Sequence, residues 1–208
     1  MNSIIEAKGV TKVYQTGDIQ VNALNHVDLS IGKGQMVAVM GPSGSGKTTL
    51  LNIFSGIDDL TEGEVIIDGQ PIHSMSDKEQ TRYRAENMGF VFQAYNLLPV
   101  LAGAENVELP LLLAGKKPSV ARKRALEVLD LVELSDQANK RPSQMSGGQQ
   151  QRITVARALV NNPAIVWADE PTGALDSETG GLIIDLLCRL NEQTQQTFVL
   201  VTHDAVVG

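Results

Sequence analysis

The stretch Gly41-Pro42-Ser43-Gly44-Ser45-Gly46-Lys47-Thr48 fits the pattern Gly-x-x-x-x-Gly-Lys-[Ser/Thr] and restricts the possible folds more than any other feature of the chain. Glycines in this arrangement let backbone N–H groups wrap a phosphate chain at a helix N-terminus, and the lysine neutralises the outer phosphates. A chain of this length matches the pattern by chance in roughly 1 case in 100, before context is counted. The context agrees. Val37-Ala38-Val39-Met40 is a short apolar run that reads as a strand, and Lys47 to Phe54 reads as a helix, which gives strand, loop and helix in the required order. Gly41, Ser43, Gly44, Ser45, Gly46 and Lys47 are the expected phosphate contacts, Thr48 supplies a hydroxyl for Mg²⁺, and Thr49 reaches an inner phosphate.

The rest of the chain has to build a sheet around that loop. Ala164 to Ala168 and Thr197 to Val201 are two more buried-strand candidates, with a helical stretch from Ser177 to Gln193 between them. Apolar strands alternating with helices indicate a parallel sheet covered on both faces. The N-terminal part reads differently. Ile4 to Tyr14, Val21 to Ile31 and Glu64 to Asp68 are β-leaning segments punctuated by Gly17-Asp18, Gly32-Lys33-Gly34 and Asp68-Gly69, as in antiparallel hairpins. From about Tyr95 to Val160 the pattern is helical, with Val120, Leu126, Leu129, Val132 and Leu134 expected mostly on one helix face. The expected class is α/β: a mostly parallel core sheet, an N-terminal antiparallel β subdomain and an inserted α-helical subdomain. At 208 residues these form a single domain over 1–208, with 1–93 and 161–208 making the core and β subdomain and 94–160 the helical part.

Several function classes are disfavoured. The longest uninterrupted apolar runs are five residues, Met36 to Met40 and Ala164 to Ala168, against the ~18 needed to cross a bilayer. The N-terminus has neither the basic start nor the apolar stretch of a signal peptide, so a cytoplasmic location is expected. A net charge of -7 gives no long-range attraction to nucleic acid phosphates. The local exception, Lys116, Lys117, Arg122, Lys123 and Arg124, reads as a solvated face. The single Cys188 cannot form an intrachain disulfide and is expected to pack within a helix.

A phosphate loop alone does not choose among kinases, GTPases and transport ATPases. Asp169-Glu170 follows the strand at 164–168. An aspartate at that strand end can hold the metal through water, and the next carboxylate can orient or deprotonate an attacking water. Ser146-Gly147-Gly148-Gln149-Gln150-Gln151-Arg152 precedes a helical run and places small residues with free N–H groups at its start, which makes a second anion site. One nucleotide has no need of two such cradles unless the second serves a neighbouring molecule. With these motifs the chain resembles the ATP-binding cassette family, whose order it follows through Tyr14, the phosphate loop, Gln93, the Ser146-Gly147-Gly148-Gln149 signature, Asp169-Glu170, Ala174-Leu175-Asp176 and His203.

That resemblance implies a P-loop NTPase core and an ATP-hydrolysing subunit of a membrane transport complex, with ATP and Mg²⁺ as cofactors. Two copies would sandwich two ATPs as a homodimer, docked on separately encoded transmembrane permease subunits at the inner face of the cell membrane. It further implies that Tyr14 stacks on adenine and that Gln93 senses Mg²⁺ and the attacking water. Asp169 would join Thr48 and Gln93 at the metal, and Lys47 and Glu170 would act in catalysis. Ser146, Gly147, Gly148, Gln149 and Asp176 would face nucleotide, with Ser146 and Gly148 on the γ-phosphate of the ATP held by the other copy and His203 gripping the same phosphate. Phe92 to Leu98, Glu105-Asn106-Val107, Arg141-Pro142 and Asp169 to Asp176 resemble the subgroup serving lipoprotein release, macrolide export and cell-division complexes. Met145 stands where leucine commonly opens the signature, and Trp167 is bulky for the strand it occupies. Members of the family usually continue beyond their counterpart of His203 with another helix and strands, so the end at Gly208 reads as a curtailed chain.

Two rivals share the same motor. A regulator that signals to a membrane partner activating cell-wall enzymes would need identical residues. A DNA-repair or chromosome ATPase would insert long coiled coils between Thr48 and Ser146, where no sustained heptads occur. A GTPase would need an Asn-Lys-x-Asp motif, and Asn139-Lys140 is followed by Arg141-Pro142. The membrane contact is expected on Tyr95 to Val107, where Tyr95, Leu97, Leu98, Val100 and Leu101 suit an inserted partner helix.

Overall fold

A computed structural model describes residues 3–203. In it, β1 (Ser3–Thr16), β2 (Ile19–Gly32), β4 (Glu62–Ile67) and the short β5 (Gln70–Pro71) form an antiparallel sheet in the order β2-β1-β4-β5. A second sheet, wholly parallel, has the order β3-β8-β7-β6, from β3 (Met36–Met40), β6 (Met88–Phe92), β7 (Ile165–Asp169) and β8 (Thr197–Thr202). Six α-helices accompany them among the described residues: α1 (Lys47–Phe54), α2 (Asp77–Asn87), α3 (Gly103–Leu113), α4 (Pro118–Leu131), α5 (Gly147–Leu159) and α6 (Ser177–Thr194).

Side-chain alternation on the central strands explains why the parallel sheet is apolar throughout. Ile165, Trp167, Val199 and Val201 enter one core with Phe54 of α1 and the residues Ile5, Val10 and Ile31 of the antiparallel sheet. Val166, Ala168, Phe198 and Leu200 enter the other, with residues of α3 to α6. Strands sealed on both faces have no reason to alternate apolar with polar. Trp167 is therefore a filler of the first core, fully buried and among its largest side chains. Met145 is likewise buried and does the apolar work of the leucine it replaces.

Three local expectations change. Gly32-Lys33-Gly34 closes no hairpin; it carries the chain from β2 in one sheet to β3 in the other. Asp68-Gly69 does close one, between β4 and β5, with φ of 47° and 77°, the two left-handed residues that a type I′ turn demands. The buried face of α4 is Ala121, Ala125, Val128 and Leu129, continued by Val132, whereas Val120 and Leu126 are exposed. Steps of four, three and four follow the helical repeat, and small alanines marked that face less visibly than the leucines did. Cys188 lies exposed on α6, its Sγ 3.7 Å from the Met36 sulfur, and is no core residue.

β6 and α2 were not anticipated. α2 is almost entirely polar, held at its start by Ser76, whose Oγ accepts from Glu79 N while Ser76 N donates to the Glu79 carboxylate. β6 pairs in parallel with β7 from Met88 opposite Ile165 to Phe92 opposite Asp169. At Gly89 the backbone of α5 comes so close that a Cβ would stand 2.2 Å from the Ala158 carbonyl oxygen.

Candidate functional site

The phosphate loop leaves β3 at Met40 and enters α1 at Lys47. Gly44 and Gly46 take φ of 77° and 89°, a region closed to most side chains. At Gly46 there is also no room, since a Cβ would lie 2.5 Å from the Ala23 carbonyl oxygen of β2. The Lys47 ammonium donates to the carbonyls of Gly41 (2.8 Å) and Pro42 (2.9 Å), which keeps its charge inside the loop.

A depression of about 890 Å³ opens above this loop, lined by Tyr14, Ser43 to Thr49, Gln93, Glu170 and His203, with Val21, Asn22 and Ala23 of β2. Residues from six separate stretches of sequence thus converge on one site. Thr48 Oγ1 donates to Asp169 Oδ1 at 3.1 Å, joining the first turn of α1 to the end of β7. Burial raises the Asp169 carboxyl above its ordinary value, helped by the charge of Glu170 and opposed by the Thr48 hydrogen bond. A hydroxyl and a carboxylate meeting beside a phosphate loop, with the Gln93 amide on the same depression, are the hard oxygen donors that Mg²⁺ takes.

Glu170 has φ of 47°, an uncommon value for a non-glycine residue. The bend is held by its own N–H, which donates to Val201 O of β8 at 2.9 Å. Its carboxylate accepts from Thr202 Oγ1 (3.2 Å) and His203 N (3.4 Å), and its Oε1 lies 2.9 Å from His203 Nδ1. The left-handed bend turns the acid from the strand axis toward the end of β8. Glu170 and His203, far apart in sequence, are therefore direct neighbours.

The signature is folded as expected but lies elsewhere. Ser146 caps α5, accepting at Oγ from Gln149 N (3.3 Å) while Ser146 N donates to Gln149 Oε1 (3.0 Å). Asp176 caps α6 through Thr179 N (2.9 Å) and Thr179 Oγ1 (2.8 Å), and these bonds hold its carboxyl below the ordinary range. The two helix starts abut, because a Cβ on Gly148 would meet Thr179 Cγ2 at 2.6 Å. None of Ser146, Gly147, Gly148, Gln149 or Asp176 lines the depression over the phosphate loop. One chain thus carries the glycine loop before α1 and, apart from it, a second helix start at Ser146, which is exposed.

The family model for ABC transporters matches residues 24–173. The chain belongs to this family. It is an ATPase of the ABC type, a nucleotide-binding component of ABC transporters. It is 52% identical to an uncharacterized ABC transporter ATP-binding protein of Methanocaldococcus jannaschii, MJ0796, over 99% of this chain and 89% of that one. It is 44% identical to the lipoprotein-releasing system ATP-binding protein LolD of Colwellia psychrerythraea, over 100% of this chain and 81% of that one. A solved dimeric structure of MJ0796 in a post-hydrolysis state, bound to ADP and Pi, superposes with a TM-score of 0.88 at 50% identity, covering 98% of this chain and 89% of that one.

Two features of this ABC ATPase escaped the sequence. Tyr14 donates its hydroxyl to Asp58 Oδ2 at 2.7 Å, and Lys12 lies over its ring, 4.7 Å from the centroid. The other is a groove of about 790 Å³ between α2, β6 and α3, lined by Arg82, Phe90, Phe92, Pro110, Leu113 and Arg157 among others. Within the expected contact stretch, Leu98 and Val100 are exposed, whereas Leu97 packs on the core. No helix among the described residues is long and apolar enough to cross a membrane.

Proposed function

We propose that this chain is the ATP-hydrolysing subunit of a membrane complex, acting as a pair of identical copies that enclose two ATPs and docking on separate transmembrane permease subunits. The observation that carries this reading is the second helix start: Ser146 and Gly148 have the donors for a phosphate but do not share the depression in which their own chain would hold one. A second copy, turned to face the first, gives them one. Closure then depends on nucleotide, and hydrolysis reopens the pair. That the solved MJ0796 structure is dimeric and bound to ADP and Pi supports pairing around nucleotide.

In this reading Lys47 and the N–H groups of Gly44 to Thr48 bind the β- and γ-phosphates, and Tyr14 stacks on the base. Thr48, Asp169 and Gln93 would hold Mg²⁺, which when bound offsets charge on the phosphate oxygens. Glu170 orients the attacking water and receives its proton, while His203 and Thr202 fix the carboxylate that does so. His203 at this position also sits beside the γ-phosphate site and stabilises the charge that develops there. The complex lies on the inner face of the cell membrane, and its cargo is a lipoprotein or another exported molecule, in line with the similarity to LolD.

Ser146→Arg isolates the pairing step. The substituted chain keeps its own phosphate loop and is expected to bind a non-hydrolysable ATP analogue. Light scattering should show the unaltered chain doubling its mass with the analogue and the variant remaining single. A variant that doubles equally would dismiss the signature from the interface.

The groove between α2 and α3 is assigned to a helix of the permease. Phe90 and Phe92 stack with centroids 5.9 Å apart, Leu113 is 81% exposed beside them, and Lys78, Arg82, Arg84 and Arg157 outnumber Glu86 along the rim. Such a lining selects an amphipathic helix with an acidic residue. Leu113→Asp should abolish co-purification with the membrane subunits and leave the melting temperature within about 2 °C, as expected for an exposed position. Leu98→Asp serves as its companion on the loop, and loss of assembly with that variant alone would move the contact to 95–107.

A further inference from the structure

The aromatic ring assigned to the base is not free to choose its orientation. Tyr14 sits on β1 with its hydroxyl committed to Asp58 Oδ2 at 2.7 Å. Asp58 Oδ1 accepts from the Lys12 ammonium at 2.9 Å, and the same ammonium lies 4.7 Å above the Tyr14 ring. Lys12 Nζ also donates to the Asp59 carbonyl, and its side chain is only 12% exposed. Asp58 in turn lies just past the end of α1 and is tied back to it, since its N–H and that of Ile57 both donate to Asn52 O, at 3.2 and 2.8 Å. The helix that begins at Lys47 is therefore followed, four residues past its end, by the carboxylate that holds the ring.

We propose that Asp58 and Lys12 are positioning residues for nucleotide, and that they make the base subsite a stacking platform for purines without regard to the base edge. The proposal rests on the assignment of Tyr14 to the base. Lys12 occupies one face of the ring, which leaves the opposite face for the base. The single phenolic hydrogen is spent on Asp58, so it has none to offer to a purine edge. Rigid placement also spares the ring its rotational entropy when nucleotide arrives. A cation behind the ring lowers its π-density and favours contact with an electron-rich purine. Because α1 starts at Lys47 and the turn carrying Asp58 is tied back to Asn52 of the same helix, ring and phosphate loop keep one spacing.

ADP and GDP are suitable probes because neither is hydrolysed. Asp58→Ala and Tyr14→Phe should each weaken ADP binding about three- to tenfold, the scale of a typical net hydrogen-bond contribution. The double variant should lose no more than about twofold beyond either one, because both remove the same bond. GDP should fall by the same factor as ADP throughout, and Asp58→Asn, which keeps an acceptor oxygen, should recover most of the affinity. Lys12 retains the Asp59 carbonyl in all of these, and Tyr14→Phe preserves the shape of the ring, so unfolding does not intervene. Multiplying effects, an unaltered affinity in Asp58→Ala, or ADP and GDP responding differently would each overturn the proposal. Tyr14→Ala separates the two ideas. If it leaves ADP affinity intact the stacking assignment itself fails, whereas a loss there with none in Asp58→Ala sinks the positioning role alone.

Discussion

Glu170→Gln should lower ATP turnover by about 100-fold or more, the usual scale for removing a general base, while leaving ATP bound and the paired state accumulated. The exchange is close to isosteric. A glutamine Oε1 can still accept from Thr202 Oγ1 and His203 N, so the left-handed bend at 170, with its φ of 47°, need not relax. What disappears is the ability to take a proton from water. Without hydrolysis nothing reopens the closed pair, and ATP alone should then double the mass seen by light scattering. Turnover near that of the unaltered chain would remove Glu170 from the catalytic role. A variant that binds ATP yet stays single would remove the closure mechanism, and the Ser146→Arg chain provides the reference for that outcome.

Gly89→Val should be the most destabilising single change outside the site. The added Cβ would start 2.2 Å from the Ala158 carbonyl oxygen and 2.9 Å from its carbonyl carbon. Backbone atoms of a buried helix cannot step aside as a flexible side chain does, so α5 must lift from β6. Overpacking of this kind costs typically ~1 to 3 kcal/mol and more where backbone has to move. For a domain of this size ~3 kcal/mol corresponds to a fall of about 6 to 12 °C in Tm, and a scanning calorimeter or a circular dichroism melt reads it directly. A Tm within about 2 °C of the parent would mean that α5 and β6 accommodate each other far more freely than their contact implies.

The sequence disclosed most where one residue type answers to one physical need. Gly44 is a glycine because of its φ and Gly46 because of φ and space, and Lys47 and Thr48 follow them in the order of the phosphate-loop pattern. The central strands announced themselves because both faces are sealed, which leaves unbroken apolar runs. Legibility failed where the determinant is tertiary. β6 is short and interrupted by a glycine whose purpose lies in α5, seventy residues downstream, so its pattern has no local meaning. The true face of α4 is written in alanines, and residue-by-residue hydrophobicity favoured Val120 and Leu126 instead. Tyr14 stood out through its place in an ordered series of motifs, yet Lys12 and Asp58 look like any charged pair until β1 and the end of α1 are brought together. Within the stretch 95–107, where the membrane contact is expected, Leu98 and Val100 are exposed. The groove of about 790 Å³, by contrast, is assembled from α2, β6 and α3, which no single stretch of sequence contains.

The intimate contact at Gly89 has a mechanical meaning as well as an energetic one. α5 touches the sheet backbone at Ala158, next to Arg157, whose guanidinium lines the groove and donates to the carbonyls of Tyr95 and Asn96. Gly148 lies ten residues toward the other end, about 15 Å along the axis. Ala158 lies near one end of α5, so the distances from it to the two ends are unequal. A tilt of about 10° around Ala158 would displace the groove end by a fraction of an ångström and sweep Gly148 through about 2.6 Å. That is close to the length of one hydrogen bond, and under the proposed pairing it is enough to make or break a phosphate contact in the facing copy.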